Sequence, residues 1–267
     1  MHNEIDSLRN EQRDFRNELH AFNSELHKKL FHDLTDLIQR SISTSILHQK
    51  TFSRFKNSHQ GQEIVLVACG PTAKEYKRID GAIHIGVNRA FQIEDIDLQY
   101  LFIQDYRSLK HCIKEANSYK PASCIKFYGH REITSAFFSK DWEVDAYMPE
   151  CDVIEANALH YRIFDIDTMG CRFSHFIDIE PLGAFQSIVF PAMQFALWTN
   201  PRRIYLVGCD CTEGYFDGQP SAMSSNILMP HWVLLKKFAR MCYPETEILS
   251  INPVGLLGIF DEDQRQC

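Results

Sequence analysis

What the chain lacks narrows it first. Its nine cysteines are odd in number and scattered, and no two form a CxxC pair. That excludes a zinc-ribbon ligand set and a disulfide framework, and points to a reducing, cytosolic setting. No apolar run reaches the length of a membrane span, and no secretory leader is expected. Peripheral association with the inner face of a membrane stays open. Basic residues do not cluster: 28 Lys and Arg stand against 35 Asp and Glu, a net charge of −7, so no nucleic-acid footprint is expected. Neither GxGxxG nor a loop ending in GK[ST] occurs, which removes the usual dinucleotide fingerprint and the Walker-type phosphate loop.

Glycine and proline are absent from the first 50 residues. There Leu8, Phe15, Leu19, Phe22, Leu26, Leu30, Leu34 and Leu37 recur mostly at steps of three, four or seven, and Ile38, Ile42 and Ile46 extend the stripe. This predicts a helical segment over residues 1–55 with one apolar face. The spacing is not a strict 3.5-residue repeat, so a coiled coil is one option beside packing on the body or on a second subunit. A homo-oligomer through residues 1–50 is left open. Acids interspersed among the bases disfavour a membrane-surface helix. The polar stretch from Lys50 to Gln62 reads as a linker.

From Glu63 the pattern turns to α/β. Apolar, β-rich runs at 63–68 (EIVLVA), 82–87 (AIHIGV), 98–103 (LQYLFI), 123–128 (SCIKFY), 204–207 (IYLV) and 247–251 predict strands. Each of the first five stops at glycine or polar residues: Gly70, Pro71 and Thr72; Asn88; Gln104 and Asp105; His130; Gly208, Asp210 and Thr212. In open α/β sheets ligands bind beyond the carboxyl ends of parallel strands. Any one of these residues is equally a turn or cap residue; in succession they fit the rim of a nucleotide pocket. The Gly70–Thr72 loop before a helix start reads either as an anion cradle or as an ordinary βα turn. Residues 132–180, rich in aromatics and acids, read as a lid or acceptor insertion. A helix opening at Pro181–Gly183 and running to Trp198 should be buried, and kinked at Pro191. The loop from Glu213 to Asn226 is long enough for a mobile lid, and Pro230 and His231 open the next helix.

Several separated pieces resemble one family, the bacterial lipooligosaccharide sialyltransferases and related flagellin-glycosylation domains. These pieces are Cys69-Gly70-Pro71-Thr72, Asn88 with Phe91, Asp105, Pro181-Leu182-Gly183, Tyr205 to Thr212, His231 and Ile251 to Leu257. They keep the family's order. Two family contacts are replaced, the loop Asn by Cys69 and the helix-start Ser by Leu182. The resemblance implies a Rossmann-like, mostly parallel sheet over residues 63–262 with helices on both faces, preceded by the N-terminal helical segment.

It also implies a glycosyltransferase that moves sialic acid or a related keto-sugar acid from a CMP-activated donor to a hydroxyl of a glycan or lipid-linked glycan. His231 would be the general base, since imidazole titrates near neutrality. Tyr215 or Thr212 would bind the leaving phosphate. Gly70, Pro71, Thr72, Asn88, Asp105, Gly183 and Asp210 would hold the donor. No metal or other cofactor is expected, although Asp105 and Asp210 could hold a divalent ion bridging a diphosphate. Two competitors remain: a pterin pyrophosphokinase-like enzyme using Mg-ATP, and a non-catalytic sialyltransferase-like assembly subunit.

Overall fold

The computed structural model describes residues 2–104, 112–120, 122–131, 158–164, 172–220 and 227–263, with the backbone alone at 2–11 and 131. The chain divides into two compact units, residues 1–43 and 44–267.

The first unit is helix throughout its described length, part of α1 (His2–Phe52). Without glycine or proline nothing interrupts the backbone ladder. Its large apolar side chains lie in solvent: Phe15 is 67% exposed, Phe22 63% and Leu37 63%. Asp36 and Arg40 form an i,i+4 ion pair.

The second unit is built on an eight-stranded sheet. Its strands are β1 (Glu63–Val67), β2 (Ile83–Val87), β3 (Tyr100–Ile103), β4 (Ile125–Arg131), β5 (Leu159–Ile163), β6 (Arg203–Val207), β7 (Glu247–Ser250) and β8 (Asp261–Glu262). Their order is β5-β4-β3-β2-β1-β6-β7-β8, and every pair is parallel. Central strands of a parallel sheet are covered on both faces, which is why IVLV and IYLV carry no alternation. One face, through Ile64, Leu66, Phe102, Phe127 and Leu206, packs on the end of α1, on α3 (Val189–Trp198) and on α4 (Met229–Cys242). The other, through Val65, Val67, Leu101, Ile103 and Val207, packs on Ala73 of the 3-10 turn Pro71–Glu75 and on α2 (Ile113–Ser118). The α/β class with helices on both faces is therefore the observed one.

Three local expectations are corrected. Residues 50–62 are no linker: Phe52 and Phe55 are buried in the core, Phe52 stacked on Phe127 and tilted to Phe195, Phe55 edge-on to both. The Trp198 indole N–H donates to Phe52 O (3.1 Å), and the Asn57 and His59 amides donate to Trp198 O and Thr199 O. Leu159–Ile163, within the stretch expected as a lid, is strand β5; residues 132–157 and 165–171 lie outside the described residues. The helix expected from Gly183 begins only at Val189, because Phe185 and Gln186 take left-handed φ of 45° and 66°. Pro191 then stands in the first turn, where its missing N–H costs no helical bond, so no kink is required. The expectation that this helix is buried all round holds, since all ten residues of α3 are buried.

Candidate functional site

Strand order reverses its direction of growth between β1 and β6. At such a switch point the connections leave the carboxyl ends in opposite directions and open a crevice, the general ligand position of doubly wound sheets. Here that position is flanked by the Ala68–Thr72 and Gly208–Thr212 loops. The two are tied by Ala68 N–H to Val207 O (2.8 Å) and Gly70 N–H to Gly208 O (2.9 Å). Glycine is required at both close approaches. A Cβ on Gly70 would stand 2.4 Å from Gly208 O and 2.5 Å from Asp210 Oδ2. One on Gly208, at φ +62°, would stand 2.7 Å from Ala68 O.

Asp210 is the junction. Only 3% exposed, it accepts the Thr72 amide at Oδ2 (2.8 Å) and the Thr72 hydroxyl at Oδ1. Its own carbonyl accepts Gly255 N–H (2.7 Å), which joins the loop after β7 to those after β1 and β6. Burial raises its pKa, and the two Thr72 bonds hold it down. The loop amides that would cradle an anion are thus committed: Gly70 N–H to Gly208 O, Thr72 N–H to the Asp210 carboxylate, Ala73 N–H to Gly70 O.

Next along the sheet edge, Asn88 ends β2 in a left-handed conformation (φ 48°), its Oδ1 accepting Gln104 N–H at 3.4 Å. The Gln104 side-chain Oε1, just beyond β3, is buried with no hydrogen-bond partner among the described residues. Asp105 lies outside the described residues.

The loop after β6 is anchored through its described part, 213–220. Arg89, 8% exposed, pairs with Asp217 (Nη1 to Oδ2, 2.5 Å) and lies over the Tyr215 ring, 4.9 Å from its centroid. Phe216 N–H donates to Cys69 O (2.9 Å). Tyr215 is therefore stacked on Arg89 across the β1 and β2 ends, while Thr212 stays half-buried beside Cys211, itself left-handed at φ 49°. The sequence places Arg89 beside Asn88 at the end of the second strand but assigns it no role, and it does not single out Asp217.

His231 sits in the first turn of α4. Its ring packs on Phe185 (centroids 4.8 Å) and edge-on to Phe190, and burial lowers its pKa below 6.5, so the imidazole is neutral at pH 7. The helix N-terminus favours the same state. Phe185 belongs to the left-handed pair noted above, so the backbone facing His231 is strained. Among the described residues no hydrogen bond joins His231 to Thr72 or Asp210. Gly183 is bound by Gln194, which accepts its N–H at Oε1 (3.1 Å) and donates to its carbonyl (2.8 Å). The six described thiols, Cys69, Cys112, Cys124, Cys209, Cys211 and Cys242, all have pKa values raised by burial, Cys69 to about 12, which leaves none activated as a nucleophile. Among the described residues no three His, Cys, Asp or Glu side chains gather as a metal site, and no helix is long and apolar enough to cross a membrane.

Two solved glycosyltransferases are distantly similar. One is the MAf glycosyltransferase from Magnetospirillum magneticum AMB-1, with 16% identity and a TM-score of 0.41 over 78% of this chain and 36% of that one. The other is the monofunctional alpha-2,3-sialyltransferase Cst-I from Campylobacter jejuni, with 15% identity and a TM-score of 0.38 over 71% of this chain and 75% of that one. The chain thus spans little more than a third of the MAf protein's length. No family model matches the sequence, and no curated protein matches it.

Proposed function

We propose that the chain is a glycosyltransferase that takes sialic acid or a related keto-sugar acid from a CMP-activated donor. The acceptor is a hydroxyl of a glycan or lipid-linked glycan, reached in the cytoplasm or at the inner face of the membrane. One observation carries the reading. Gly70–Thr72, Asn88 and Asp210, far apart in sequence, end the neighbouring strands β1, β2 and β6 at one switch-point crevice. These are segments on which the sequence resemblance rests.

In this reading the nucleotide lies against the Gly70–Thr72 loop, whose backbone is fixed by its packing on Gly208 and Asp210. Asp210 holds Thr72, whose hydroxyl oxygen still has lone pairs for a ribose hydroxyl. The unpaired Gln104 Oε1 is an acceptor for an amino or hydroxyl group of the nucleotide. His231, neutral at pH 7, takes the proton of the acceptor hydroxyl as the new oxygen–carbon bond forms. The bond from the anomeric carbon to the phosphate oxygen breaks, and CMP leaves with the electron pair, its phosphate met by Thr212 or Tyr215. A resident metal is not required.

The commitment of the Gly70 and Thr72 amides to protein acceptors favours a second reading, a non-catalytic subunit on the same fold. Calorimetric titration with CMP, CDP, UDP, GDP and ATP, each with and without Mg²⁺, separates these two and the pyrophosphokinase-like alternative. Metal-independent CMP binding supports the transferase. Metal-dependent ATP binding points to a pyrophosphokinase-like enzyme, and no binding by the folded protein to the non-catalytic subunit. For the transferase, His231→Ala lowers kcat by about 10²–10⁴ while CMP affinity is kept. Equal loss of both makes His231 a ligand contact or a structural residue.

A further inference from the structure

We propose that residues 2–43 of α1 form a parallel, in-register coiled coil with a second copy of this chain. The helix exposes a line of large apolar side chains: Phe15 67%, Leu19 50%, Phe22 63%, Leu26 42%, Leu30 56%, Leu34 56% and Leu37 63%. Exposure alone does not say what covers such a face. The charges beside it do.

Set Leu19 and Leu26 at position a of a heptad and Phe15 and Phe22 at d. In the sequence Ile5 and Leu8 extend these two rows toward the N-terminus, with Gln12 as the one polar residue at a from Ile5 to Leu26. Every g position from residue 4 to 25 is then glutamate: Glu4, Glu11, Glu18 and Glu25. The e positions opposite, up to the register shift at Leu30, are Arg9, Arg16 and Asn23, with no acid among them. One edge of the stripe is acidic and the other basic or neutral. In a parallel pair, position g faces position e of the following heptad on the partner helix, so the register sets the positions of Glu4 and Arg9, and of Glu11 and Arg16, opposite one another, each twice by symmetry. In an antiparallel pair, g meets g, and glutamates face glutamates. The pattern therefore selects both the occupant, a copy of this helix, and its direction.

The seam also explains the irregular spacing. A strict seven-residue count would put Lys29 at d, but the next apolar residue is Leu30. A four-residue step from Leu26 to Leu30 advances the register by one, and Leu34 and Leu37 continue at a and d. Such a discontinuity locally changes the supercoil without breaking the seam. Beyond it Phe31 and Ile38, 74% and 49% exposed, fall at e and widen the apolar face where the charged pairs end. Parallel pairing brings the two copies' residue-43 ends together.

The test uses the full chain. Sedimentation velocity at micromolar concentration is expected to give twice the chain mass; a monomer overturns the proposal. Phe15→Glu with Phe22→Glu is expected to give a monomer whose thermal unfolding is otherwise unchanged. A dimer that survives this pair of substitutions overturns the assigned surface. Glu11→Arg and Arg16→Glu, each alone, should raise the dimer dissociation constant about tenfold by placing like charges together. Mixing the two variants should restore wild-type affinity as a heterodimer, because each then supplies the charge the other needs. Failure of mixing to rescue overturns the parallel register.

Discussion

The two ends of the sheet use glycine differently. Gly61 and Gly81 stand just before β1 and β2, both at positive φ (76° and 77°), and a Cβ on either would meet nothing within 4 Å. Gly70 and Gly208 stand just after β1 and β6, and a Cβ on either would fall within 2.4–2.7 Å of backbone oxygen. At the amino end glycine serves a turn. At the carboxyl end it lets two loops touch, and one of them also carries the buried Asp210 and the left-handed Cys211. The ion pairs of the amino end, Arg202 and Arg203 with Glu63 and Arg203 with Glu247, join partly exposed side chains at the strand starts, as expected of surface stabilisation. The close approach of the two loops at Gly70 and Gly208 therefore stands where the topology places a ligand.

The sharpest way to break this comparison is Gly208→Ala. It combines a left-handed φ with a clash against Ala68 O and the Ala73 methyl. The expected loss is about 3 kcal/mol or more, read as a large fall in the denaturant midpoint. A mild effect would mean the crevice loops can separate, and the tight contact would then not be a designed feature.

Acid comes next. His48 is fully buried, donating from Nδ1 to Ile177 O (2.8 Å) and accepting Arg162 N–H at Nε2 (2.7 Å). His84 is fully buried in β2 with Nε2 bonded to the Tyr76 hydroxyl (2.9 Å). Burial lowers both from 6.5 to about 4. The unfolded chain binds their protons from about pH 6.5 downward and the folded chain does not. Stability should thus be full above pH 6.5 and fall toward pH 4, by up to about 1.4 kcal/mol per pH unit for each histidine. Buried Asp210, whose pKa is raised by burial, acts in the opposite sense, adding stability as pH falls through its folded pKa. His48→Gln should flatten the slope measured by denaturation across this window. Partly exposed His231 is also lowered, so the acid limb of any transfer activity should have its midpoint below pH 6.5.

A smaller effect probes the strap over the crevice. Arg89→Ala removes the Asp217 pair and the Tyr215 stack, at about 1–2 kcal/mol for a pair between surface and core. Amide exchange at 213–220 should quicken while that at β1 is unchanged. Arg89→Lys, which keeps the charge without the planar stack, should fall between. Unchanged exchange in Arg89→Ala would assign the anchoring to the Phe216–Cys69 backbone bond instead.

Six of the eight strands were legible because uninterrupted apolar runs have few other homes; β5, inside an aromatic stretch read as a lid, and the two-residue β8 were not. The Asp210–Thr72 pairing was not legible: the partners are 138 residues apart, and each has an ordinary local reading as cap or turn. Phe52 and Phe55 were hidden in a polar stretch, although two aromatics three apart can plug a core that polar neighbours surround. The start of α3 was misplaced because apolar continuity does not reveal left-handed backbone at Phe185 and Gln186. Gln194, a lone amide in an apolar helix, was the signal that something nearby needed its hydrogen bonds.

The mildest substitution completes the comparison. Gly81→Ala meets open space, so only backbone conformation opposes it. A left-handed alanine costs about 1–2 kcal/mol, offset by about 0.4–1 kcal/mol from the stiffer unfolded chain, for a net loss of about 1 kcal/mol. Gly208→Ala carries the same backbone cost, so the difference between the two midpoints isolates the contact between the crevice loops. If the two variants are equally destabilised, steric fit contributes nothing at the carboxyl end, and Gly208 is a turn residue like Gly81. If Gly208→Ala is worse by two kcal/mol or so, the loops after β1 and β6 are held together by fit as well as by Asp210, and a ligand there meets a preformed wall.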